Sequence, residues 1–162
     1  MHRPFSERLR KYHKIYFILK LVTSFEKRFE KINTVIFESS EVASKAAAAE
    51  IATLIKKKQK AKEMCVLGLA TGSTPKRLYA ELVRLHREEG LSFKNVIAFN
   101  LDEYYPMEPD AIQSYVRFMK ELLFNHVDIE PGNFHIPDGT LEKKDIADYC
   151  KDYEAKIDAL GG

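Results

Sequence analysis

The sequence predicts an α/β domain, an open parallel sheet within a three-layer αβα sandwich. Three short apolar runs point to it: Thr34-Val35-Ile36-Phe37, Cys65-Val66-Leu67-Gly68-Leu69 and Val96-Ile97-Ala98-Phe99. They are continuous rather than alternating, as strands covered on both faces are. Their centres recur at about 31 residues, the length of a strand, a crossover helix and the return to a parallel neighbour. The segments between them carry helical spacing with recognisable ends.

In chain order, Ser39 or Ser40 caps a first helix whose inner face reads Ala47, Ile51, Leu54 and Ile55, and whose cationic end is Lys56-Lys57-Lys58, a solvated helix terminus. After the second run, Thr74 as cap and Pro75 in the first turn open a helix through Leu78, Leu82 and Leu85 that stops at Gly90. A third helix is expected from about Asp110 to Asn125, with Tyr115, Met119 and Leu122 inside. Glu130-Pro131-Gly132-Asn133 reads as a turn and Phe134-His135-Ile136 as a short strand. A fourth helix runs from about Lys143 to Leu160 through Ile146, Cys150, Tyr153 and Ile157, ended by Gly161.

The chain has 162 residues, 45% hydrophobic and 31% charged, which suits one ordinary domain and excludes collagenous, low-complexity and disordered classes. The formal net charge of +2 hides an asymmetry. Residues 1–31 hold nine basic and three acidic side chains and read as a basic N-terminal extension; residues 32–162, the α/β domain, carry seventeen and twenty-one. Ile15 to Val22, the longest nearly unbroken apolar run, has eight residues including Lys20, against the roughly 20 that span a bilayer. No small-residue cleavage site of a secretory leader follows it. Cys65 and Cys150 both sit in apolar patterns that predict buried thiols in a reducing cytoplasm. Neither nucleic acid nor a membrane is an expected partner.

Two polar segments follow directly on strands: Ala70-Thr71-Gly72-Ser73-Thr74-Pro75 and Asn100-Leu101-Asp102-Glu103-Tyr104-Tyr105. Ligands of open parallel sheets bind outside the carboxyl ends of the strands, so parallel neighbours would open both segments onto one crevice. The first offers a flexible Gly72, the hydroxyls of Thr71, Ser73 and Thr74 and the free N–H groups of a helix start, the chemistry of a phosphate cradle. It is neither a Walker A loop nor a dinucleotide fingerprint, and a plain strand-to-helix turn would use the same residue types. In the second, Asp102 is placed to abstract a carbon-bound proton beside a carbonyl, or to serve as a capping or salt-bridging acid. Glu103, Glu108 and Asp110 lack the spacing of a metal motif, so no metal is expected. His86, His126 and His135 have no evident Ser or Cys partner and read as structural.

Taken together, Leu67 to Pro75, Leu91-Ser92-Phe93-Lys94-Asn95-Val96, Phe99 to Tyr104, and Gln113-Ser114-Tyr115 with Phe118-Met119 resemble the glucosamine-6-phosphate deaminases. The likeness runs from about residue 35 to the end, with Ser73 standing where many members carry a second glycine. It implies a Rossmann-like sugar-phosphate isomerase fold, of which this chain resembles the N-terminal part. It also implies an enzyme that opens the ring of glucosamine 6-phosphate, isomerises aldose to ketose and releases ammonia and fructose 6-phosphate, with no redox cofactor. Asp102 matches the family's base, moving the C2 proton to C1. Thr71, Gly72, Ser73 and Thr74 match its sugar-phosphate loop, and Glu103 and Tyr104 support the site. Related 6-phosphogluconolactonases share the fold but typically carry arginine where this chain has Tyr104. The resemblance places the ring-opening residues and basic phosphate ligands after Gly162, so residues 1–162 alone are expected to be inactive. A non-catalytic sugar-phosphate-binding module is the rival expectation, and self-association is left open.

Overall fold

In the computed structural model, which describes residues 34–161, three parallel strands lie in chain order: β1 (Cys65–Leu69), β2 (Val96–Asn100) and β3 (Phe134–His135). The four helices among the described residues are α1 (Ser40–Lys60), α2 (Lys76–Glu89), α3 (Tyr115–Leu122) and α4 (Ile146–Ala159). The expected basic extension, residues 1–31, lies outside the described residues. The chain divides between Ile36 and Phe37, and the unit beginning at Phe37 carries the sheet.

Register decides what the sheet brings together. Cys65 pairs with Val96 and Leu69 with Asn100, so β1 and β2 finish level; Ala98 pairs with Phe134 and Phe99 with His135. Side chains alternate across a strand, and β2 is buried on both sides. Val96 and Ala98 join one core with Ala48, Ala52 and Ile55 of α1, Tyr79, Leu82 and Leu85 of α2, and Met119 of α3. Phe99 points the other way, edge-on to Tyr153 of α4 at 5.6 Å and against the ring of His135 at 4.6 Å. Helices α1, α2 and α3 thus cover one face and α4 the other, the three-layer arrangement expected.

Several local expectations need correction. Thr34–Phe37 forms no strand: Val35 and Ile36 are 70% and 92% exposed, and no described segment pairs with them. The buried stripe of α1 is Ala48, Ala52 and Ile55, rotated from the predicted one and leaving Leu54 exposed. Thr74 makes no cap hydrogen bond; Pro75 takes the cap position and α2 starts at Lys76, although Gly90 ends it in the left-handed conformation (φ 70°) as expected. Helix α3 begins at Tyr115, not near Asp110, because residues 109–113 form turns. It gives way after Leu122 to a short 3₁₀ turn, Phe124–His126. Helix α4 starts at Ile146 rather than Lys143, and Cys150 is exposed while Cys65 is buried. The half-buried positions of α4 are Ile146, Tyr149, Tyr153 and Ile157, a stripe that passes beside Cys150.

The approach to β2 is held by Asp128. Its carboxylate accepts from the Ser92 hydroxyl at 2.8 Å and the Phe93 N–H at 2.5 Å, and lies 3.7 Å from His86 Nδ1. Burial alone would raise its pKa, but the Phe93 and Ser92 hydrogen bonds and the His86 charge together hold it below the ordinary 3.8. A carboxyl with a depressed native pKa contributes stability that is present above its unfolded value and lost as pH falls through the native one. Asp128→Ala is therefore expected to cost about 2 kcal/mol near neutral pH. In urea unfolding the gap between wild type and variant should narrow as pH drops below about 4; a gap unchanged at acid pH would contradict the assignment.

Candidate active site

Because Leu69 and Asn100 are register partners, the segments that follow β1 and β2 leave adjacent strand ends at one rim of the sheet. Neighbouring strands lie about 4.8 Å apart, so Ala70 and Leu101 start side by side. Both lead to helices on the same face, α2 and α3, and so bend over the same side of the sheet.

The first segment is anchored from beneath. The hydroxyl of Tyr79, a core residue of α2, donates to the carbonyl of Ala70, and burial pushes the Tyr79 phenol up to about 12 despite that bond. Beyond the anchor, Gly72 stands at φ 101°, a region that L side chains rarely occupy. Among the described residues, the N–H groups of Thr71, Gly72, Ser73 and Thr74 donate to nothing. These four residues thus present unpaired donors directly before the N-terminus of α2, which suits an anion. Tyr79 was not legible as a site residue, although its place three before Leu82 put it on the inner face of the helix.

The second segment separates its two acids. Glu103 turns inward: its carboxylate accepts from the Ser114 hydroxyl and the Tyr115 N–H at 3.0 Å each, and from the Val116 N–H at 3.1 Å. Among the described residues the Tyr115 N–H has no other acceptor, the Val116 N–H is shared with the Oγ of the N-cap Ser114, and a negative group here complements the helix dipole. Glu103 is therefore the capping acid, and Glu103→Ala is expected to destabilise the protein by about 1–2 kcal/mol, measurable by urea unfolding; an unchanged midpoint would contradict it. Asp102 is exposed and, among the described residues, makes no hydrogen bond or ion pair. The alternative reading of Asp102 as a capping or salt-bridging acid finds no partner for it here.

Tyr104 packs its ring on Tyr115 at 4.8 Å. Interaction with the Tyr115 hydroxyl, and then the charges of Asp102 and Glu103, raise its pKa, so the phenol stays protonated beside the acids. The far end of the segment is clasped by a second loop: Met107 N–H donates to the Gly139 carbonyl at 2.8 Å and Tyr105 hydroxyl to the Leu141 carbonyl at 2.9 Å. Gly139 was also not legible in advance, because its partners lie more than thirty residues away.

His86, His126 and His135 are engaged in the scaffold. His86 Nδ1 lies 2.7 Å from the Leu91 carbonyl; His126 accepts from Arg87 at Nδ1 and donates from Nε2 to the Glu121 carbonyl. His135 lies against Phe99, with Lys156 Nζ 3.3 Å from its Nδ1. Glu108 and Asp110 do not join Glu103, and among the described residues no group of three or more His, Cys, Asp or Glu could hold a metal ion. An open groove of about 440 Å³ lined by Pro109, Asp110, Arg117, Lys120, Glu121 and Asn125 contains neither Gly72 nor Asp102.

The profile of the glucosamine-6-phosphate isomerases/6-phosphogluconolactonases matches residues 38–162. The chain belongs to this family. A glucosamine-6-phosphate deaminase of a Thermoanaerobacter species is 44% identical over 131 residues, covering 81% of this chain and 48% of that protein. The solved structure of a monomeric glucosamine-6-phosphate deaminase superposes with a TM-score of 0.74 at 38% identity, over 80% of this chain and 52% of the other. A 6-phosphogluconolactonase from Thermotoga maritima gives 0.61 at 26%, over 77% and 53%. The chain thus spans about half the length of these relatives. Among the described residues no helix is long and apolar enough to cross a membrane.

Proposed function

We infer that the crevice at the carboxyl ends of β1 and β2 is half of a sugar-phosphate isomerising deaminase site. In this reading Thr71, Gly72, Ser73 and Thr74 hold the phosphate of glucosamine 6-phosphate through backbone N–H groups and hydroxyls. Asp102 takes the C2 proton of the opened sugar and returns it at C1, which turns the C2 amine into an imine; water then adds to that imine carbon, so that nitrogen leaves as ammonia and the C2 carbonyl oxygen of fructose 6-phosphate comes from water. Glu103 fixes the loop, and Tyr104 stands beside the base as a protonated phenol.

The observation that carries the reading is the division of labour between adjacent acids. Glu103 is consumed by α3, while Asp102 is left unpaired two residues past a strand end that is level with the anion loop. A general base must be free to approach substrate, and a tightly bonded carboxylate would be a poor one. Two features favour deaminase over lactonase: the higher identity to the deaminases, and Tyr104, seated on Tyr115, which falls on the deaminase side of the resemblance. A cytoplasmic, amino-sugar-degrading role belongs to the same proposal.

The test is an ammonia-release assay on glucosamine 6-phosphate. It compares the 162-residue chain with a chimaera in which residues 38–162 replace the matching part of the Thermoanaerobacter deaminase. Turnover is expected from the chimaera and none at an enzymatic rate from the chain alone, because opening the ring falls to residues that the resemblance places after Gly162. Equal turnover by both would show that the ring-opening groups are already present here.

A further inference from the structure

The last residue of β2 carries a side chain that the scaffold does not use. Asn100 is 1% exposed, yet neither its Oδ1 nor its Nδ2 has a hydrogen-bond partner among the described residues. An unpaired buried amide is costly, and each such group in a folded protein calls for a reason. Its backbone is well held, since the Tyr153 hydroxyl reaches the Asn100 carbonyl at 2.8 Å and shares its proton with that of His135 at 3.0 Å. Only the amide is left over. Asn95 differs, because its Nδ2 donates to the carbonyls of Ile55 and Glu63.

The position of Asn100 supplies the reason. By strand alternation its side chain lies on the face of Val96 and Ala98, the face covered by α2 and α3. Both rim segments bend over that face, one toward each helix. Asn100 is level with Leu69, where the Ala70–Thr74 loop begins, and two residues before Asp102. Its amide, an NH₂ with two donors and an oxygen that accepts, is therefore buried at the level from which both loops leave the sheet. The loop that starts at this level carries a run of four main-chain N–H groups without acceptors among the described residues, one of them on Gly72 at positive φ.

We propose that Asn100 is a positioning residue: its amide hydrogen-bonds the main chain of the Ala70–Thr74 loop when an anion draws that loop down, locking the phosphate cradle to the strand that carries Asp102. This rests on the reading of Thr71–Thr74 as an anion loop. The amide gains its partners only in the liganded state, so the unliganded protein carries the cost and binding relieves it. Because it acts through the loop and not on the sugar, it serves inorganic phosphate and a sugar phosphate alike.

Calorimetric titration of the 162-residue chain with glucosamine 6-phosphate, inorganic phosphate and glucosamine tests this, with thermal melting alongside. Asn100→Leu replaces the amide by an apolar group of similar size. It is expected to melt at or above the wild-type temperature while binding both phosphates about tenfold more weakly or worse. Should the variant not fold, ¹⁵N spectra of the wild type decide: the Asn100 side-chain NH₂ is expected to shift and exchange more slowly once phosphate saturates the site. Wild-type affinity in Asn100→Leu, a loss confined to the sugar phosphate, or an NH₂ signal indifferent to phosphate would overturn the proposal. Wild type that binds inorganic phosphate with the Asn100 effect intact, but prefers glucosamine 6-phosphate to neither phosphate nor glucosamine, would overturn the substrate reading and leave Asn100 its role.

Discussion

Asp102→Asn in the chimaera is expected to lower the turnover of glucosamine 6-phosphate on the order of 10²-fold or more, the scale of a lost general base. Asparagine keeps the shape of the side chain and removes its basicity, so the loss should fall on kcat, with KM little changed. Stability should not suffer, because Asp102 makes no hydrogen bond or ion pair among the described residues that the substitution could break. That combination separates a catalytic acid from a structural one: Glu103→Ala should lose stability first, and Asp102→Asn should lose rate alone. Exchange of the C2 hydrogen with tritiated solvent reads the step directly. Undiminished exchange in Asp102→Asn would exclude Asp102 as the base.

Gly139→Ala is the second large effect expected, and it acts at a distance from the chemistry. A Cβ at Gly139 would lie 2.7 Å from the Met107 carbonyl oxygen, 2.8 Å from Met107 Cβ and 2.8 Å from the Tyr104 carbonyl oxygen. Two of those atoms are backbone, so no side-chain rotation relieves the clash and the two loops must separate. Separation breaks the Met107 to Gly139 hydrogen bond and pulls on the Tyr105 to Leu141 bond, which together hold the distal end of the Asp102 segment. The cost to stability is expected to be about 1–3 kcal/mol, the usual range for overpacking. A shift of about 1 Å in Asp102, the proposed base, would also lower turnover on the order of 10²-fold. Urea unfolding of the chain and the rate of the chimaera measure the two consequences. A variant of wild-type stability would show that the clasp yields freely.

Much of this arrangement was legible in the sequence because it depends on local pattern. The runs at Cys65–Leu69 and Val96–Phe99 are strands, although only the second is buried throughout, since β1 leaves Gly68 exposed and Val66 and Leu67 half-buried; the helix between them stops at Gly90 as its positive φ requires, and the glycine loop and Asp102 follow the strand ends. The same signal failed at Thr34–Phe37, since an apolar run states a preference for burial and nothing about a hydrogen-bonding neighbour. Spacing placed Cys150 in the core, but the covered stripe of α4 runs through Tyr149 and Tyr153, set by how the helix lies on Phe99. Helix α3 starts later than its composition suggests, at the N-cap Ser114, whose hydroxyl accepts from Val116 and Arg117 and is itself held by Glu103, eleven residues earlier. Tyr79, Gly139 and Asn100 share one reason for escaping notice: each acts on a main chain brought near by the fold and not by sequence.

In the proposed reading one crevice, formed where β1 and β2 end level, takes the sugar phosphate. A ¹⁵N amide titration of the 162-residue chain with glucosamine 6-phosphate, with glucosamine as control, tests it most directly. Shifts are expected to concentrate at Thr71–Thr74 and at Asp102–Tyr104 and to be absent with the unphosphorylated sugar. Shifts confined to one of the two segments, or centred on the groove beside Arg117 and Lys120, would contradict it.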